Sequence, residues 1–384
     1  MKVLIFTTDY RPQLGGIATY SHNIAKSLSR LCEVTVLTVK LRGWNTFDVK
    51  QNFSTVRVIN WPIIRELIFT IHIIWLIRNN RIDRILNVTW FPCGMLSFFV
   101  TRFFKIPYFI TAHGSEFLDD KTTLKRRVKG WLSWLKLLTM KKAKRIFAVS
   151  HYTQSKLLSL GISSSQITVI PNGVDINKFF PYRNVNAVKA RFGLKDKKVL
   201  LTVARLDPHK GHDMVIKSLP RVIKKVPNLI YIIVGQGPEE KRLKNMVHKL
   251  CSDDKVWFLG YVPEEDLVNL YNASDLFIML SRVVPGMENW IEGFGISFLE
   301  ANACGKPTIG GHSGGVSDAI IDGQTGILVN PTDIDEISKA VCKLLTDETY
   351  ALKLGRQGIR RTEDELNWDK ISESLKSLMG DSHR

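Results

Sequence analysis

Short apolar runs alternate with helical patterns along almost the whole chain, and this alternation restricts the fold more than any other feature. It begins with an apolar run over residues 2–8, a Gly15-Gly16 loop, a helical pattern over 18–31 and a second apolar run over 34–38. A strand, a helix and a strand in that order usually form a parallel pair, because a parallel connection needs a long crossover. The pattern therefore predicts an α/β fold with parallel sheets.

The alternation forms two series, which a polar segment at 176–197 separates. The remaining strand candidates of the first series are 56–60, 84–87, 108–112, 145–149 and 167–170. Those of the second series are 199–204, 229–234, 256–259, 276–280, 307–310 and 326–329, with helices between most of them and over 333–379. A chain of 384 residues has room for two domains. We predict two doubly wound, Rossmann-like domains at 1–180 and 181–365 that face a central cleft. A C-terminal helix at 366–384 could cross back to the N-terminal domain.

Almost all of the net positive charge of the chain lies in its first half. Residues 1–182 contain 26 Lys and Arg against 9 Asp and Glu, whereas residues 183–384 contain 28 against 27. Ten basic residues lie between Lys121 and Arg145, where no acidic residue occurs. Such asymmetry indicates a polyanionic partner, for which nucleic acid and an anionic membrane surface are the two candidates.

The cysteines and the first residues favour a cytoplasmic protein. The five cysteines are scattered, odd in number and without metal or redox spacing, so we expect reduced thiols. The apolar run that starts at Met1 is too short for a signal peptide and leads directly into polar residues.

Two glutamates, Glu292 and Glu300, flank a glycine-containing segment before and inside a helical pattern. Eight positions along a helix bring side chains back to nearly the same face, so we expect the two carboxylates to lie together. The backbone N–H groups over 294–297 would form an anion site at the helix N-terminus. One carboxylate could bind sugar hydroxyls and the other ribose hydroxyls, although two solvated glutamates on a helix would give the same pattern.

Arg205 and Lys210 flank a tight turn after the strand that ends near residue 204. Two cations at a strand end can neutralise a diphosphate, whereas a helix capped by Asp207 with surface charges is the structural alternative. Gly235 and Gly237 follow the next strand and permit close approach of a ligand to the backbone, although most such turns bind nothing.

The first half has two candidate sites at strand ends. Gly15-Gly16 does not match the G-x-G-x-x-G pattern and no acidic residue occupies the ribose-binding position, which disfavours a nicotinamide cofactor. His113, beside Gly114, follows the strand at 108–112, a better position for function than an apolar helix face.

Together these segments resemble the retaining GT-B glycosyltransferases of the family-4 type over nearly the whole chain. The matching segments are Gly15–Ile17, Thr111–Gly114, Val149–Ser150, Pro171–Asp175, Arg205 with Lys210–Gly211, Gly235–Gly237, Gly260–Pro263 and Glu292–Ala301. Each is weak alone, but their joint order is specific. The run from Ser281 to Pro307 is especially similar to bacterial phosphatidylinositol-mannoside mannosyltransferases, which use GDP-mannose.

The resemblance implies a role for each matched residue. Catalytic roles fall to His113 near the reacting carbon, to Arg205 and Lys210 on the diphosphate, and to Glu292 on the hydroxyls of the transferred sugar. The donor-binding positions are Gly16, Gly235, Val262, Glu292, Phe294, Gly295, Ile296, Ser297 and Glu300, with Glu300 on the ribose.

No metal and no other cofactor is expected beside the nucleotide-sugar donor. The one D-x-D string, Asp333 to Asp335, begins a helix, and capping explains it better than metal ligation. Arg205, Lys210 and a helix dipole would supply the charge stabilisation instead. The family retains the anomeric configuration, and no residue of the sequence stands out as a nucleophile for a covalent intermediate.

The helical pattern within Lys121–Arg145 is amphipathic. Trp131, Trp134, Leu135 and Leu138 share one face and basic residues flank it, which is typical of a helix on an anionic membrane surface, although the same face could pack in the core. The apolar segments 61–78 and 87–112 contain charged residues or proline, so neither is predicted to span a membrane.

We therefore predict a peripheral enzyme on the inner face of the cell membrane that moves a hexose, mannose from GDP-mannose by resemblance, onto a lipid-linked or cell-envelope glycan acceptor. A UDP-sugar-dependent transferase of lipopolysaccharide or polysaccharide synthesis is the alternative. A non-catalytic protein that binds sugar nucleotides or anionic polymers, and a sugar-nucleotide epimerase, are less favoured. Nucleic acid is not expected as a partner, because no recognised binding motif accompanies the charge. The oligomeric state stays open.

Overall fold

The computed structural model describes residues 1–61, 64–114, 126–182, 184–250, 253–287 and 290–380, with only the backbone described for 126–130. The chain divides into two compact units. The N-terminal unit comprises Met1–Asn172 together with the C-terminal helix that begins at Trp368, and the C-terminal unit comprises Gly173–Asn367. Each unit is built on one parallel sheet.

The sheet of the N-terminal unit has seven strands in the order β3-β2-β1-β4-β5-β6-β7. The strands are β1 Lys2–Phe6, β2 Glu33–Val39, β3 Ser54–Val58, β4 Arg84–Asn87, β5 Tyr108–Ala112, β6 Arg145–Ala148 and β7 Ile167–Val169. The helices are α1 Gly16–Leu28, α2 Trp44–Asp48, α3 Arg65–Asn80, α4 Met95–Phe104, α5 Arg126–Lys142 and α6 His151–Ser159, with a π-helical turn at Trp90–Gly94.

The sheet of the C-terminal unit has six strands in the order β10-β9-β8-β11-β12-β13. The strands are β8 Lys198–Val203, β9 Leu229–Val234, β10 Val256–Gly260, β11 Leu276–Met279, β12 Thr308–Gly311 and β13 Gly326–Val329. The helices are α7 Val185–Arg191, α8 His212–Lys225, α9 Glu240–Leu250, α10 Glu264–Ala273, α11 Ile296–Ala303, α12 Val316–Ala319, α13 Ile334–Thr346 and α14 Glu348–Asp364; α15 Trp368–Gly380 belongs to the N-terminal unit.

Both sheets have the doubly wound order in which the strand number reverses beside the first strand of the unit. β1 pairs with β2 on one side and with β4 on the other, and β8 pairs with β9 and β11 in the same way. All of these pairs are parallel, as in sheets whose two faces are covered by helices, and the central strands β1 and β8 are buried over most of their length. The predicted α/β fold with two Rossmann-like units is therefore confirmed.

The segment at 176–197 differs from the linker that its polarity suggested. It lies within the C-terminal unit and contains α7, which has no buried residue and therefore no apolar periodicity to reveal it. The boundary between the units lies at Asn172, earlier than the expected 180. At the other end α15 packs against α1 of the N-terminal unit, with Arg30 paired to Asp369 at 2.8 Å.

The amphipathic stripe of α5 is divided between core and solvent. Leu135 is buried and Leu138 is half-buried, whereas Trp131 and Trp134 are more than half exposed. The earlier part of the basic stretch, 121–125, lies outside the described residues. Among the residues that are described, no helix combines the length and hydropathy needed to cross a bilayer.

Candidate functional site

The candidate site of the C-terminal unit is built on the loops that follow β8, β9 and β11. In an open parallel sheet these loops meet at the carboxyl edge, beside the point where the strand order reverses. Here the reversal lies at β8, between β9 and β11. The loop after β8 carries Arg205 and a 3₁₀ turn at Pro208–Lys210, and α8 starts two residues later.

Two glycines allow these loops to pack backbone against backbone. Gly235 has φ +138° and donates its N–H to the Gly260 carbonyl at 2.8 Å, and a Cβ there would lie 1.9 Å from the carbonyl oxygen of Ala204. Gly211 has φ +76°, and its Cβ would lie 2.0 Å from the carbonyl oxygen of Leu280. No other residue fits at either position without moving the backbone. The loop geometry at this edge is therefore fixed by glycine.

Lys210 and Glu292 form the central contact of the site, although 82 positions separate them in sequence. The ammonium Nζ lies 2.5 Å from Oε2 of the carboxylate, and the two side chains are only 18% and 13% exposed. The carboxylate also accepts the backbone N–H of Phe294. Burial alone would raise the pKa of Glu292, but the charge and hydrogen bond of Lys210 outweigh it and lower that pKa. Glu292 is therefore ionised at neutral pH.

Arg205 presents its charge to solvent at the same edge of the sheet. Its side chain is 72% exposed, and Nε lies 3.2 Å from Oδ2 of the buried Asp207. The backbone carbonyl of Arg205 lies 3.1 Å from Nε2 of His212. An exposed guanidinium whose base is held by a buried carboxylate is suited to gripping phosphate oxygens. The expected pair of cations is present, but only Arg205 is open to solvent.

The helix that carries Glu300 starts later than the pattern predicted. The expected helix 294–304 corresponds to α11, Ile296–Ala303. It starts at Ile296 because Gly295, with φ +99°, does not have a helical conformation. Glu292 therefore lies on a loop, and the argument that eight helical positions align the two glutamates is wrong. Phe294 is buried, and α11 presents the N–H groups of Ile296 and Ser297 at its first turn without a side-chain cap.

Glu300 is positioned by a residue that sequence reasoning missed. The hydroxyl of Tyr271, on α10, donates to Oε2 of Glu300 at 2.7 Å. Burial, and then the nearby carboxylate, raise the pKa of Tyr271 well above its ordinary value, so the phenol stays a donor. No spacing rule could have paired the two residues, because 29 positions separate them and their contact depends on the tertiary fold.

Three buried polar atoms beside Lys210 have no hydrogen-bond partner among the described residues. They are Nδ1 of His209, Oγ of Ser281 and Nη1 of Arg282. The other side of the Arg282 guanidinium is paired with Asp213 at 2.8 Å, and its backbone N–H donates to the His209 carbonyl at 2.9 Å. Burial, and next the Lys210 charge, lower the pKa of His209 to about 4. Buried donors and acceptors without partners at a strand end fit a polar ligand.

Val262 follows β10 and is half-buried, one residue before the Pro263 that precedes α10. Asp333 caps α13, because its Oδ1 accepts the backbone N–H groups of Asp335 and Glu336 at 2.9 and 3.0 Å. The capping interpretation of the D-x-D string is confirmed. The described residues contain no group of three His, Cys, Asp or Glu side chains placed to hold a metal ion.

The two candidates of the N-terminal unit lie at the carboxyl edge of its own sheet. Gly16 is the first residue of α1, is exposed and follows Gly15 at φ +146°, so the helix N-terminus is open to solvent. His113 comes directly after β5, and its ring meets Tyr20 edge-on at 4.7 Å. Burial lowers the pKa of His113 to about 4 despite a backbone hydrogen bond at Val88. His113 is therefore neutral at pH 7.

Comparison with known proteins adds two family matches. Residues 14–178 match the model of Glycosyltransferase Family 4, and residues 185–361 match the model of Glycosyl transferases group 1. The GDP-mannose-dependent alpha-(1-6)-phosphatidylinositol monomannoside mannosyltransferase of Mycolicibacterium smegmatis is 32% identical, with 98% of both chains covered. A monoacylated-substrate counterpart from Corynebacterium glutamicum is 28% identical over 98% of this chain and 97% of its own.

Solved structures share the fold at lower identity. Sucrose-phosphate synthase from Thermosynechococcus elongatus has a TM-score of 0.81 at 20% identity, with 98% of each chain covered. Anabaena HepE in complex with UDP has a TM-score of 0.82 at 20% identity, covering 99% of this chain and 100% of its own.

Proposed function

The chain belongs to the family-4 glycosyltransferases, and from this premise we propose that it transfers mannose from GDP-mannose, with retention, onto a lipid-linked or cell-envelope glycan acceptor. The observation that carries the donor site is the set of charges at the carboxyl edge of the second sheet. Arg205 is open to solvent there, and Lys210 is held by Glu292 beside buried polar atoms that have no hydrogen-bond partner in the described part of the chain. A nucleoside diphosphate sugar offers both the anions and the hydroxyls that such an edge can bind.

We propose that Arg205 and Lys210 share the charge of the diphosphate and stabilise it as it leaves. The carboxylate of Glu292 limits the movement of Lys210, so the ammonium is already placed when the leaving group becomes more negative. The N–H groups at the start of α11 carry partial positive charge, and we propose that they also face the diphosphate. These groups supply the stabilisation that a metal ion would otherwise give, and the proposal needs no metal.

The remaining donor contacts follow from the family resemblance. Glu300, fixed by Tyr271, receives the ribose hydroxyls, while the backbone near Val262 and Gly235 borders the nucleotide. Gly16 supplies backbone N–H groups to phosphate, and His113 acts near the reacting carbon. Since His113 is neutral at pH 7, it can exchange hydrogen bonds with sugar hydroxyls without repelling developing positive charge on the sugar.

The choice of GDP-mannose rests on the names of relatives that match almost the full chain. A UDP-sugar donor is the second candidate. A thermal-shift panel of GDP, UDP and ADP with their sugar conjugates separates them, because a ligand that binds only the folded state raises the midpoint. We expect GDP and GDP-mannose to give the largest shifts. A larger shift with UDP and a UDP-sugar would contradict the GDP-mannose proposal.

Arg205→Ala tests the donor site directly. Removing this guanidinium should lower kcat/KM at least about 100-fold, the scale for a group that stabilises transition-state charge. Arg221→Ala is the matched control, because Arg221 is a half-exposed arginine on α8 that pairs with Asp335 at 2.9 Å, outside the candidate site. Full activity of the Arg205→Ala protein would contradict the assignment of Arg205 to the donor site.

We further propose that the enzyme works as a peripheral protein on the inner face of the cell membrane, with the basic segment Lys121–Arg145 facing anionic lipid. The supporting features are the charge asymmetry of the chain and the solvent-exposed Trp131 and Trp134 on α5. Co-sedimentation with anionic and neutral vesicles, set against a duplex-DNA shift assay, tests this partner. Tight DNA binding without vesicle binding would contradict it.

A further inference from the structure

Five large apolar side chains are exposed on the outer faces of α3 and α4. Leu67, Ile71 and Trp75 follow one another at four-residue spacing on α3, and Phe99 and Phe103 do so on α4. Their exposed fractions lie between 47% and 86%. Four-residue spacing places side chains one above the other, so each helix has a continuous apolar stripe facing solvent.

The two stripes lie on neighbouring helices of one layer. α3 packs against α4, and the guanidinium of Arg78 lies 5.6 Å from the ring centre of Phe104, which places the last turns of the two helices side by side. Their opposite faces are already used by the core, where Phe69 and Ile73 of α3 and Phe98 of α4 are buried. Among the residues of this unit that the structure describes, the exposed side chains therefore have no remaining role in packing.

The charged residues of the two helices are basic, apart from one glutamate that is paired with an arginine. α4 has no acidic residue, and the single acidic residue of α3, Glu66, is paired with Arg65 at 2.6 Å. Arg78, Arg102 and Lys105 lie at the ends of the two helices. Large apolar and aromatic side chains bordered by cations are typical of surfaces that enter the boundary between lipid headgroups and acyl chains.

We propose that the outer faces of α3 and α4, termed the α3–α4 face, insert into the headgroup boundary of an anionic bilayer and anchor the enzyme by apolar contact. The inference rests on the membrane-bound function proposed above and assigns its anchor to a surface other than the basic segment. A second copy of the chain is a poorer occupant of this face, because the net positive charge of residues 1–182 in one copy would repel the same charge in the other. An anionic lipid surface attracts the same charge.

The α3–α4 face makes the anchor different in kind from electrostatic adsorption. Leu135 of α5 is buried and Leu138 half-buried, so the part of α5 whose side chains the structure describes, residues 131–142, offers the bilayer little large apolar surface beyond Trp131 and Trp134. Adsorption through cations weakens steeply with salt, whereas apolar insertion does not. Binding of the 384-residue protein to vesicles should therefore retain a salt-resistant part.

The test compares two triple variants in flotation with vesicles of phosphatidylcholine and phosphatidylglycerol. Ile71→Ser, Trp75→Ser and Phe103→Ser together should weaken partitioning about 100-fold, because the three side chains are between 52% and 86% exposed and so have at least half of their surface left to bury. The control replaces Leu160, Leu250 and Leu352 with serine, which are exposed leucines in or next to α6, α9 and α14. The control should bind vesicles as the native protein does, in both about 0.1 M and about 0.5 M salt.

Insertion also has a fluorescence signature. Lipids brominated close to the headgroup should quench the native protein, and Trp75→Phe should remove part of that quenching. Equal partitioning of the two triple variants, or no flotation of the native protein, would overturn the inference. So would light scattering that shows a native dimer and a monomeric α3–α4 variant, since a second copy would then cover the face. A failed GDP shift with intact flotation would instead count against the proposed donor alone.

Discussion

Replacing Lys210 by methionine tests whether the buried pair at the centre of the donor site is arranged as the structure shows. The change keeps the length and most of the volume of the side chain but removes the ammonium that lies 2.5 Å from Glu292. The carboxylate would keep the backbone N–H of Phe294 and little else of its electrostatic support. It would remain in a site where it is only 13% exposed.

The cost follows from leaving one buried charge without its partner. Breaking such a pair from one side lowers the free energy of unfolding by about 3–5 kcal/mol, and the partial exposure of both groups favours the lower end. About 3 kcal/mol corresponds to a fall in Tm of about 6–12 °C for a unit the size of Gly173–Asn367.

The free energy of unfolding should depend on pH differently in the native protein and in the Lys210→Met variant. In the native protein the lowered pKa of Glu292 contributes stability that is present above its unfolded value and is lost as the pH falls. In the Lys210→Met protein the two Lys210 contributions are gone and burial outweighs the remaining Phe294 hydrogen bond, so the pKa of Glu292 should rise above the unfolded value. That variant gains stability relative to the native protein as the pH falls from 7 towards about 4.5, and the two curves should converge.

Thermal unfolding followed by circular dichroism between pH 4.5 and 7.5 measures both quantities. The control is Glu292→Gln in the Lys210→Met background, where no charge remains to be stranded and most of the lost stability should return. A Lys210→Met protein as stable as the native protein at pH 7, with a parallel pH curve, would refute the reasoning. It would mean that Glu292 is solvated or has another cation.

Three further predictions concern neighbouring positions. Gly235→Ala should prevent folding or lower Tm by more than about 10 °C, because the added Cβ would overlap the carbonyl of Ala204. Gly323→Ala is the control, and it should lower Tm far less in the same measurement because no atom lies near its Cβ. Tyr271→Phe should raise KM for the donor about tenfold in steady-state assays with little change in Tm, since it removes only the hydrogen bond that orients Glu300. Three buried histidines with pKa values of about 4 should make denaturant-measured stability fall as the pH drops from about 6.5 to 4, and His212→Gln should flatten that fall.

Most of the fold could be predicted because each element has a local signature. The strands of both sheets are short apolar runs that glycine, proline or polar residues bound, and parallel strands buried on both faces need little else. The exception, α7, shows the limit of this reasoning. It buries no residue, so its helical period leaves no trace in the apolar pattern, and the polar segment around it resembled a linker.

The site could be predicted only as far as its residues cluster in sequence. Arg205 and Lys210 were identifiable because they flank one turn, and Glu292 and Glu300 because they flank one glycine segment. Their mutual arrangement was not, since the helical spacing assumed for the glutamates fails where Gly295 takes a positive φ. Because Gly295 takes that conformation, α11 begins only at Ile296, and Glu292 lies on the loop before it rather than at the mouth of the helix.

That loop position is what lets Glu292 meet Lys210, and the pairing changes how the site must work. If both cations were solvated, each would bind phosphate at the cost of its own hydration and side-chain freedom. Lys210 has already lost much of both in the pair with Glu292, whereas Arg205, although it contacts Asp207, is 72% exposed and keeps most of its hydration. We therefore expect Arg205 to bind the incoming diphosphate first. We expect Lys210, whose charge Glu292 partly neutralises, to contribute most of its stabilisation when the leaving diphosphate becomes more negative. We therefore propose that the two cations, which the sequence presents as equivalent, contribute unequally: both stabilise the leaving diphosphate, and Arg205 in addition contributes most to its capture.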